Sequence, residues 1–221
     1  MGKGNMYEWA EPWNPLGGGC SHKCGYCSSK NFMRYPEFAK KYSGEPKLME
    51  HEFRNLGYNK TLFVVAQNDL FAENVPQTYI MRIQRHCARF DNEYLFQSKN
   101  PGRMLDFILW FPKKSILCTT IESNRDYDNC NAPNMKDRAY AIYHLGHVFK
   151  TMVTIEPIMD FDLDEFVALL KFANPDEVNI GADSKRHNLP EPSKEKLLAL
   201  IEELRKFTII AKKTNLERLL R

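Results

Sequence analysis

Cys20-Ser21-His22-Lys23-Cys24-Gly25-Tyr26-Cys27 follows directly on Asn14-Pro15-Leu16-Gly17-Gly18-Gly19. Cysteines spaced C-x3-C-x2-C in one short, glycine-flanked loop bring three thiolates around a shared centre. Soft thiolate ligands select iron–sulfur clusters, zinc or copper(I). A structural zinc site is closed by four protein ligands, whereas three leave a metal position open for chemistry. The competing reading is a zinc knuckle completed by His22 or by a distant cysteine. Cys87, Cys118 and Cys130 lack short mutual spacing, and a free buried cysteine behaves as a small hydrophobe. They read as structural or incidental rather than as ligands of an auxiliary cluster.

Outward from the loop, the chain alternates short apolar runs with helical spacing. Thr61–Ala66, Tyr94–Lys99, Ser115–Ile121, Thr151–Ile155 and Val178–Ile180 read as buried strands. Helical patterns follow at Pro76–Phe90, Pro101–Trp110, Lys136–Phe149, Leu163–Phe172 and Pro192–Arg205. Leu16–Gly19 reads as the end of a first strand, and Phe207–Ala211 as a final strand or frayed tail. Lys30–Tyr58 reads as helical in pieces, with breaks at Pro36 and Ser43-Gly44. Strands alternating with helices imply parallel pairing with crossover helices over the sheet. The count gives about six units, so the expected architecture is α/β, a partial (β/α)6 barrel that stays open. A single domain over 1–221 is expected, with 1–13 a leader packing on the barrel.

In barrel folds chemistry collects at the C-terminal ends of the strands. Polar residues recur there: Asn68 and Asp69, Ser98 and Lys99, Thr120 and Glu122, Glu156, and Asp183. Helix capping and surface pairing are the competing explanations for Asn68, Asp69 and Lys99. His144 and His147 share a helix face, which reads as a solvated or core-edge pair rather than a metal site.

Composition excludes several classes. Hydrophobic content of 43% and charged content of 27% are ordinary for a globular protein,. No apolar run approaches the roughly 20 residues of a membrane span, and no signal-peptide pattern opens the chain. Three of the six cysteines crowd into eight residues, which argues against a secreted disulfide framework,. A reducing, cytoplasmic setting is expected. The net charge of +3 permits a nucleic-acid partner only if basic residues cluster,. Lys30, Arg34, Lys40 and Lys41 interleave with Phe32, Tyr35, Phe38 and Tyr42, while Arg205, Lys206, Lys212, Lys213, Arg218 and Arg221 gather near the end. Either stretch suits a phosphate backbone with stacked bases, and either suits a solvated helix.

The loop resembles the signature of the radical S-adenosylmethionine (SAM) superfamily, C-x3-C-x-aromatic-C, at Cys20, Cys24, Tyr26 and Cys27. The chain is further similar to an uncharacterised family of small phage-associated radical SAM proteins. The similarity lies in Trp13-Asn14-Pro15, Asn68-Asp69-Leu70-Phe71 with Val75-Pro76, Lys99-Asn100-Pro101-Gly102-Arg103-Met104, and Ile155-Glu156-Pro157. That family is distantly similar to spore photoproduct lyase, which acts on DNA. The chain departs from it at Ile180-Gly181-Ala182-Asp183, where the family has Gly-Gly-Glu, and in its compact cysteine loop.

The resemblance implies a 4Fe–4S cluster on Cys20, Cys24 and Cys27, and SAM cleaved reductively to a 5′-deoxyadenosyl radical. It implies Tyr26 against the adenine, Asn68 and Asp69 on the SAM ammonium, and Lys99 on its carboxylate with Ser98 in support. Thr120 and Glu122 would lie near the ribose, and Glu156 near ribose or substrate. A reductase or flavodoxin-type electron donor is the implied partner. The expected substrate is a nucleic-acid base or nucleotide, as in phage DNA modification. Two alternatives are modification of a peptide or small metabolite with a partner protein, and a non-catalytic iron–sulfur or zinc protein that binds nucleic acid. An open barrel must be closed to protect a radical, so a large substrate or a partner protein is expected over the mouth.

Overall fold

The computed structural model describes residues 6–128, 130–185 and 187–221. The first five residues of the expected leader lie outside them. The sheet begins earlier than the sequence suggests, with β1 at Glu11–Trp13. Leu16–Gly17 (β2) instead pairs antiparallel with Lys47–Leu48 (β3) in a small ribbon, between which lies α1, Pro36–Tyr42. The Leu16 segment leaves the main sheet because Pro15 has no N–H for a continuing ladder. Pro36 opens a helix rather than breaking one, since its fixed φ suits the first helical turn,.

The remaining elements follow the expected alternation. They are β4 (Thr61–Val64), α2 (Gln77–Cys87), β5 (Glu93–Gln97), α3 (Gly102–Leu105), β6 (Ser115–Thr120) and α4 (Met135–Leu145). Then come β7 (Lys150–Ile155), α5 (Leu163–Ala173), β8 (Glu177–Ile180), α6 (Lys194–Leu204), β9 (Ile209–Lys212) and α7 (Glu217–Leu220). The expected helix over Pro101–Trp110 is a short α-turn followed by a 3-10 turn at Ile108–Trp110.

The main sheet has seven strands in the order β1-β4-β5-β6-β7-β8-β9. Every pair in it is parallel, with Trp13 beside Val64, Leu95 beside Ile116 and Ile180 beside Lys212. Phe207–Ala211 thus contains a true strand. The edge strands β1 and β9 do not pair with each other, so the sheet stays open, as the unit count predicts.

Alternation along each strand builds two cores. Leu62, Val64, Tyr94, Phe96, Leu117 and Val153 face the helices. Phe63, Leu95, Ile116, Cys118 and Met152 face the other way and are covered by Tyr7 and Ala10 of the leader. The Tyr7 hydroxyl reaches Thr154 Oγ1 at 2.5 Å and donates to Gln97 Oε1 at 3.0 Å. Tyr7 and Ala10 thus pack on the sheet face turned away from the helices. Helix ends follow local chemistry. Asn134 caps α4 by accepting from Asp137 N–H at 2.9 Å, and Asn174 ends α5 in the left-handed region at φ 47°,.

Candidate active site

Because all seven strands run the same way, the loops after β4 to β8 open on one edge. There they meet the cysteine loop and enclose a cavity of about 570 Å³, within the ordinary range for a small-molecule site. The walls carry all three loop cysteines. Tyr26, Asn68, Asp69, Ser98, Lys99, Thr120 and Glu156 also reach this cavity, and Glu122 does not.

The loop is held close by backbone contacts that need glycine. Gly18 sits at φ +91°, and a Cβ there would come within 2.3 Å of the Glu45 carbonyl oxygen. Its N–H donates to Lys41 O at 2.8 Å, and its carbonyl accepts from Asn68 Nδ2 at 2.9 Å. Asn68 thus spends its amide on the cysteine loop, while its Oδ1 accepts the Asp69 N–H at 2.8 Å.

Asp69 is surrounded by donors. Its Oδ1 accepts from Phe71 N–H at 2.9 Å and Ser98 Oγ at 2.7 Å, and its Oδ2 from Lys99 N–H at 2.8 Å. His22 Nε2 lies 3.0 Å from the same Oδ2. Burial opposes ionisation of Asp69, but the His22, Ser98 and Lys99 N–H contacts outweigh it and hold the carboxyl below its ordinary range,. His22 was not among the residues the resemblance implicates. It locks the middle of the cysteine loop to the strand end after β4.

Glu122 is the hub of a second network, 1% exposed. It pairs with Lys99 Nζ, accepts from Tyr26 Oη at 2.5 Å, and accepts from Arg138 Nη1 at 3.0 Å. Burial works against the charged form of Glu122. Lys99 and Arg138, with the hydrogen bonds from Lys99 and Tyr26, win and hold it at about 2. Burial pushes the Lys99 ammonium below its ordinary value and the Tyr26 phenol well above its own. Glu122 therefore sits behind the cavity wall and orients the two residues that form it. Arg138 is the other functional residue missing from the sequence reading. It projects from α4, 3% exposed, and also donates to the Thr120 carbonyl at 2.9 Å. A lone arginine among apolar helix positions was its only signal.

After β7, Glu156 is held by Asn215 Nδ2, 2.7 Å from Oε1, and by Lys213 Nζ, 2.6 Å from Oε2. Gly181 makes room, since a Cβ there would lie 2.7 Å from the Glu156 side chain. Lys213 also donates to the Met6 carbonyl at 2.7 Å and lies over the Tyr7 ring. The end of the chain thus fastens both the leader and Glu156. Asp183 lines the cavity but is engaged by His187 Nδ1 at 2.7 Å.

The remaining cysteines divide. Cys87 and Cys118 are free and buried, while Cys24 is disulfide-bonded to Cys130. Cys20 and Cys27 are free, and burial, with Asp69 nearby, pushes the Cys20 thiol up to about 12. A metal would have to displace its proton. The chemistry of the donor set suits a three-thiolate site, since three cysteines of one clamped loop line the same cavity, but with Cys24 bonded to Cys130 they are not gathered into a metal-holding cluster.

The basic stretches separate by partner. Arg205, Lys206, Lys213 and Arg218 are paired with Glu202, Glu203, Glu156 and Glu191. Lys23, Lys30 and Lys185 stand on the cavity rim, exposed and with no carboxylate partner among the described residues. His144 and His147 pack on Tyr143, and no metal-holding cluster of three or more His, Cys, Asp or Glu occurs among the described residues. Among those residues no helix is long and apolar enough to cross a membrane.

Solved structures share this open, partial-barrel α/β fold. Spore photoproduct lyase complexed with dinucleoside spore photoproduct superposes with a TM-score of 0.66 at 11% identity, over 96% of this chain and 80% of the lyase. A lyase variant with bound AdoMet and dinucleoside spore photoproduct gives 0.55 at 14% identity, over 90% and 61%. SuiB of Streptococcus suis bound to S-adenosylmethionine gives 0.59 at 9% identity, over 94% and 51%. No family model and no curated protein matches the sequence.

Proposed function

We infer that this chain is a radical SAM enzyme acting on a nucleic-acid base or nucleotide. The observation that carries the chemistry is the clamped triple-cysteine loop at the C-terminal edge of a radical SAM-type sheet, opening on a cavity large enough for a cofactor. Cys20, Cys24 and Cys27 would hold a 4Fe–4S cluster, and with SAM that group supplies a 5′-deoxyadenosyl radical for hydrogen abstraction. Lys99, paired with Glu122 but lining the cavity, would meet a SAM carboxylate, and Glu122 keeps it and Tyr26 oriented. Asp69 serves as the anchor of the loop through His22 and Ser98, and with both oxygens already accepting two hydrogen bonds each it would act on a SAM ammonium through its charge,. Thr120 and Glu156 face the same space from β6 and the turn after β7.

The substrate class rests on charge at the mouth. Lys23 and Lys30, from the cysteine loop and the turn after it, and Lys185, from the loop after β8, all line the same cavity, which favours a polyanion over a neutral metabolite. A polynucleotide seated there would also cover the open edge and shield a radical from water. Phage DNA modification is the biological setting this reading favours, with a flavodoxin-type protein or reductase as electron donor.

Anaerobic reconstitution tests the reading. A brown protein that makes 5′-deoxyadenosine from SAM and dithionite, more of it with DNA, and that alters the mass of a nucleoside in the digest, is the expected result. A colourless zinc protein would overturn the radical chemistry. Turnover on a free metabolite or a peptide, with none on DNA, would overturn the substrate class.

A further inference from the structure

Cys130 belongs to none of the strand ends that build the site, yet its sulfur is bonded to that of Cys24, 106 residues away in sequence. We propose that Cys130 guards the centre: in the cluster-free chain it ties up Cys24 as a disulfide, and cluster loading begins with reduction of that bond. The inference rests on reading Cys20, Cys24 and Cys27 as a metal centre.

The pairing is built into the loop that follows β6. One end of this loop is fixed by Glu122, which holds Tyr26 beside Cys27. The other end is fixed by Asn134 capping α4 and by Arg138 Nε donating to the Pro133 carbonyl at 2.6 Å. Between them, Asn131 N–H donates to the His22 carbonyl at 2.7 Å. Cys130 is thereby laid against the middle of the cysteine loop, with its Cα 4.0 Å from that of Cys24. Cys20 and Cys27 remain free on either side. With Cys24 in a disulfide, two loop thiols remain, too few for a three-thiolate centre.

The exchange balances in both directions. In closing, Cys24 and Cys130 lose two protons and two electrons to a small-molecule disulfide such as oxidised glutathione, which leaves as two thiols. In opening, a dithiol such as dithiothreitol attacks one sulfur and departs as its cyclic disulfide, freeing both cysteines. Cys130 is only partly buried, so a small thiol reaches it.

The test uses the full-length, cluster-free chain treated with oxidised glutathione and then freed of it. Peptide mapping without reductant should find Cys24 joined to Cys130, with Cys20 and Cys27 both alkylated. Cobalt(II), which needs no added sulfide, probes the thiolates. Its thiolate charge-transfer band, which Cys20 and Cys27 alone can give only weakly, should rise to three-thiolate intensity only after dithiothreitol is added and removed. Cys130→Ser, and separately Cys130→Ala, should reach that intensity with no reductant step. The proposal is overturned if Cys24 is alkylated or pairs with Cys20 or Cys27, or if the Cys130 variants need reduction as much as the parent. Absence of the band even after reduction would count against the metal centre itself, while the mapped disulfide stands or falls separately.

Discussion

Lys99 on the cavity wall and Glu122 behind it form an ion pair, at the ends of neighbouring strands β5 and β6. Glu122 also accepts from Arg138, so one buried carboxylate balances two cations, one of which faces the cavity. Removing one partner of a buried ionic network costs far more than a surface pair, because the remaining charge is left without compensation.

Glu122→Gln should therefore destabilise the fold by about 3–5 kcal/mol. Arg138 and Lys99 would lose their anion, and Tyr26 the strong acceptor of its hydroxyl. Chemical denaturation of the variant measures this directly. A loss below about 1 kcal/mol, the size of an exposed pair, would show that the network carries little of the stability.

Acid should act on the same group. Glu122 titrates at about 2 in the folded chain against an ordinary 4.5, and Asp69 is shifted in the same direction. A depressed folded value means that the stabilisation is fully present above the unfolded value and disappears as pH falls through the folded one. The melting temperature should drop progressively from pH 4.5 toward pH 2. Glu122→Gln should flatten much of that slope, and an unchanged slope in the variant would assign the acid sensitivity elsewhere.

Lys99→Met keeps most of the side chain's length and removes its charge. A charge-assisted hydrogen bond is worth about 1.5–3 kcal/mol, so SAM should bind roughly 10- to 100-fold more weakly. Calorimetric titration of SAM into the cluster-loaded protein reads this without reference to turnover. Unchanged affinity would remove Lys99 from the SAM carboxylate.

Gly18→Ala places a methyl group within 2.3 Å of the Glu45 carbonyl oxygen at a backbone φ of +91°. The loop must shift, at a cost of order 1–3 kcal/mol. Iron bound per chain after anaerobic reconstitution should fall, while Gly44→Ala, with open space around its Cβ, should cost only its own backbone strain and leave iron content near the parent's. Equal iron loss in both variants would point to general unfolding instead of loop displacement.

Charge reversal at Lys23, Lys30 and Lys185 tests the rim. These side chains are exposed and have no carboxylate partner among the described residues, so stability should change by less than about 1 kcal/mol. If each meets a phosphate, oligonucleotide affinity should fall and the slope of log affinity against log salt should shrink by about 3. Reversal of Arg205 and Lys206, which are already paired with Glu202 and Glu203, is the control and should leave binding unchanged. Fluorescence anisotropy across a salt series separates the two outcomes.

Much of the fold was legible because strand and helix periods are local properties. The apolar runs at Leu62–Val65, Tyr94–Phe96 and Ile116–Cys118 specify strands, and their alternation with helices specifies parallel order. Errors fell where local pattern is weakest. Leu16-Gly17 is too short to show which sheet it joins, and Pro36 signals equally a helix start and a break.

What the sequence determined by itself is the chemistry-bearing spacing of Cys20, Cys24 and Cys27 and the strand-end positions of Asn68, Asp69, Ser98, Lys99, Thr120 and Glu156. Both follow from motif and period without knowledge of distant contacts. Only the tertiary structure decided which groups these residues meet: His22 on Asp69, Arg138 on Glu122, Lys213 and Asn215 on Glu156, and Cys130 on Cys24. Those pairings depend on strand register and on where long loops are fastened, which set distances between residues tens to a hundred positions apart. The triple-cysteine loop defines a centre, and the packing around it decides how that centre is charged, clamped and closed.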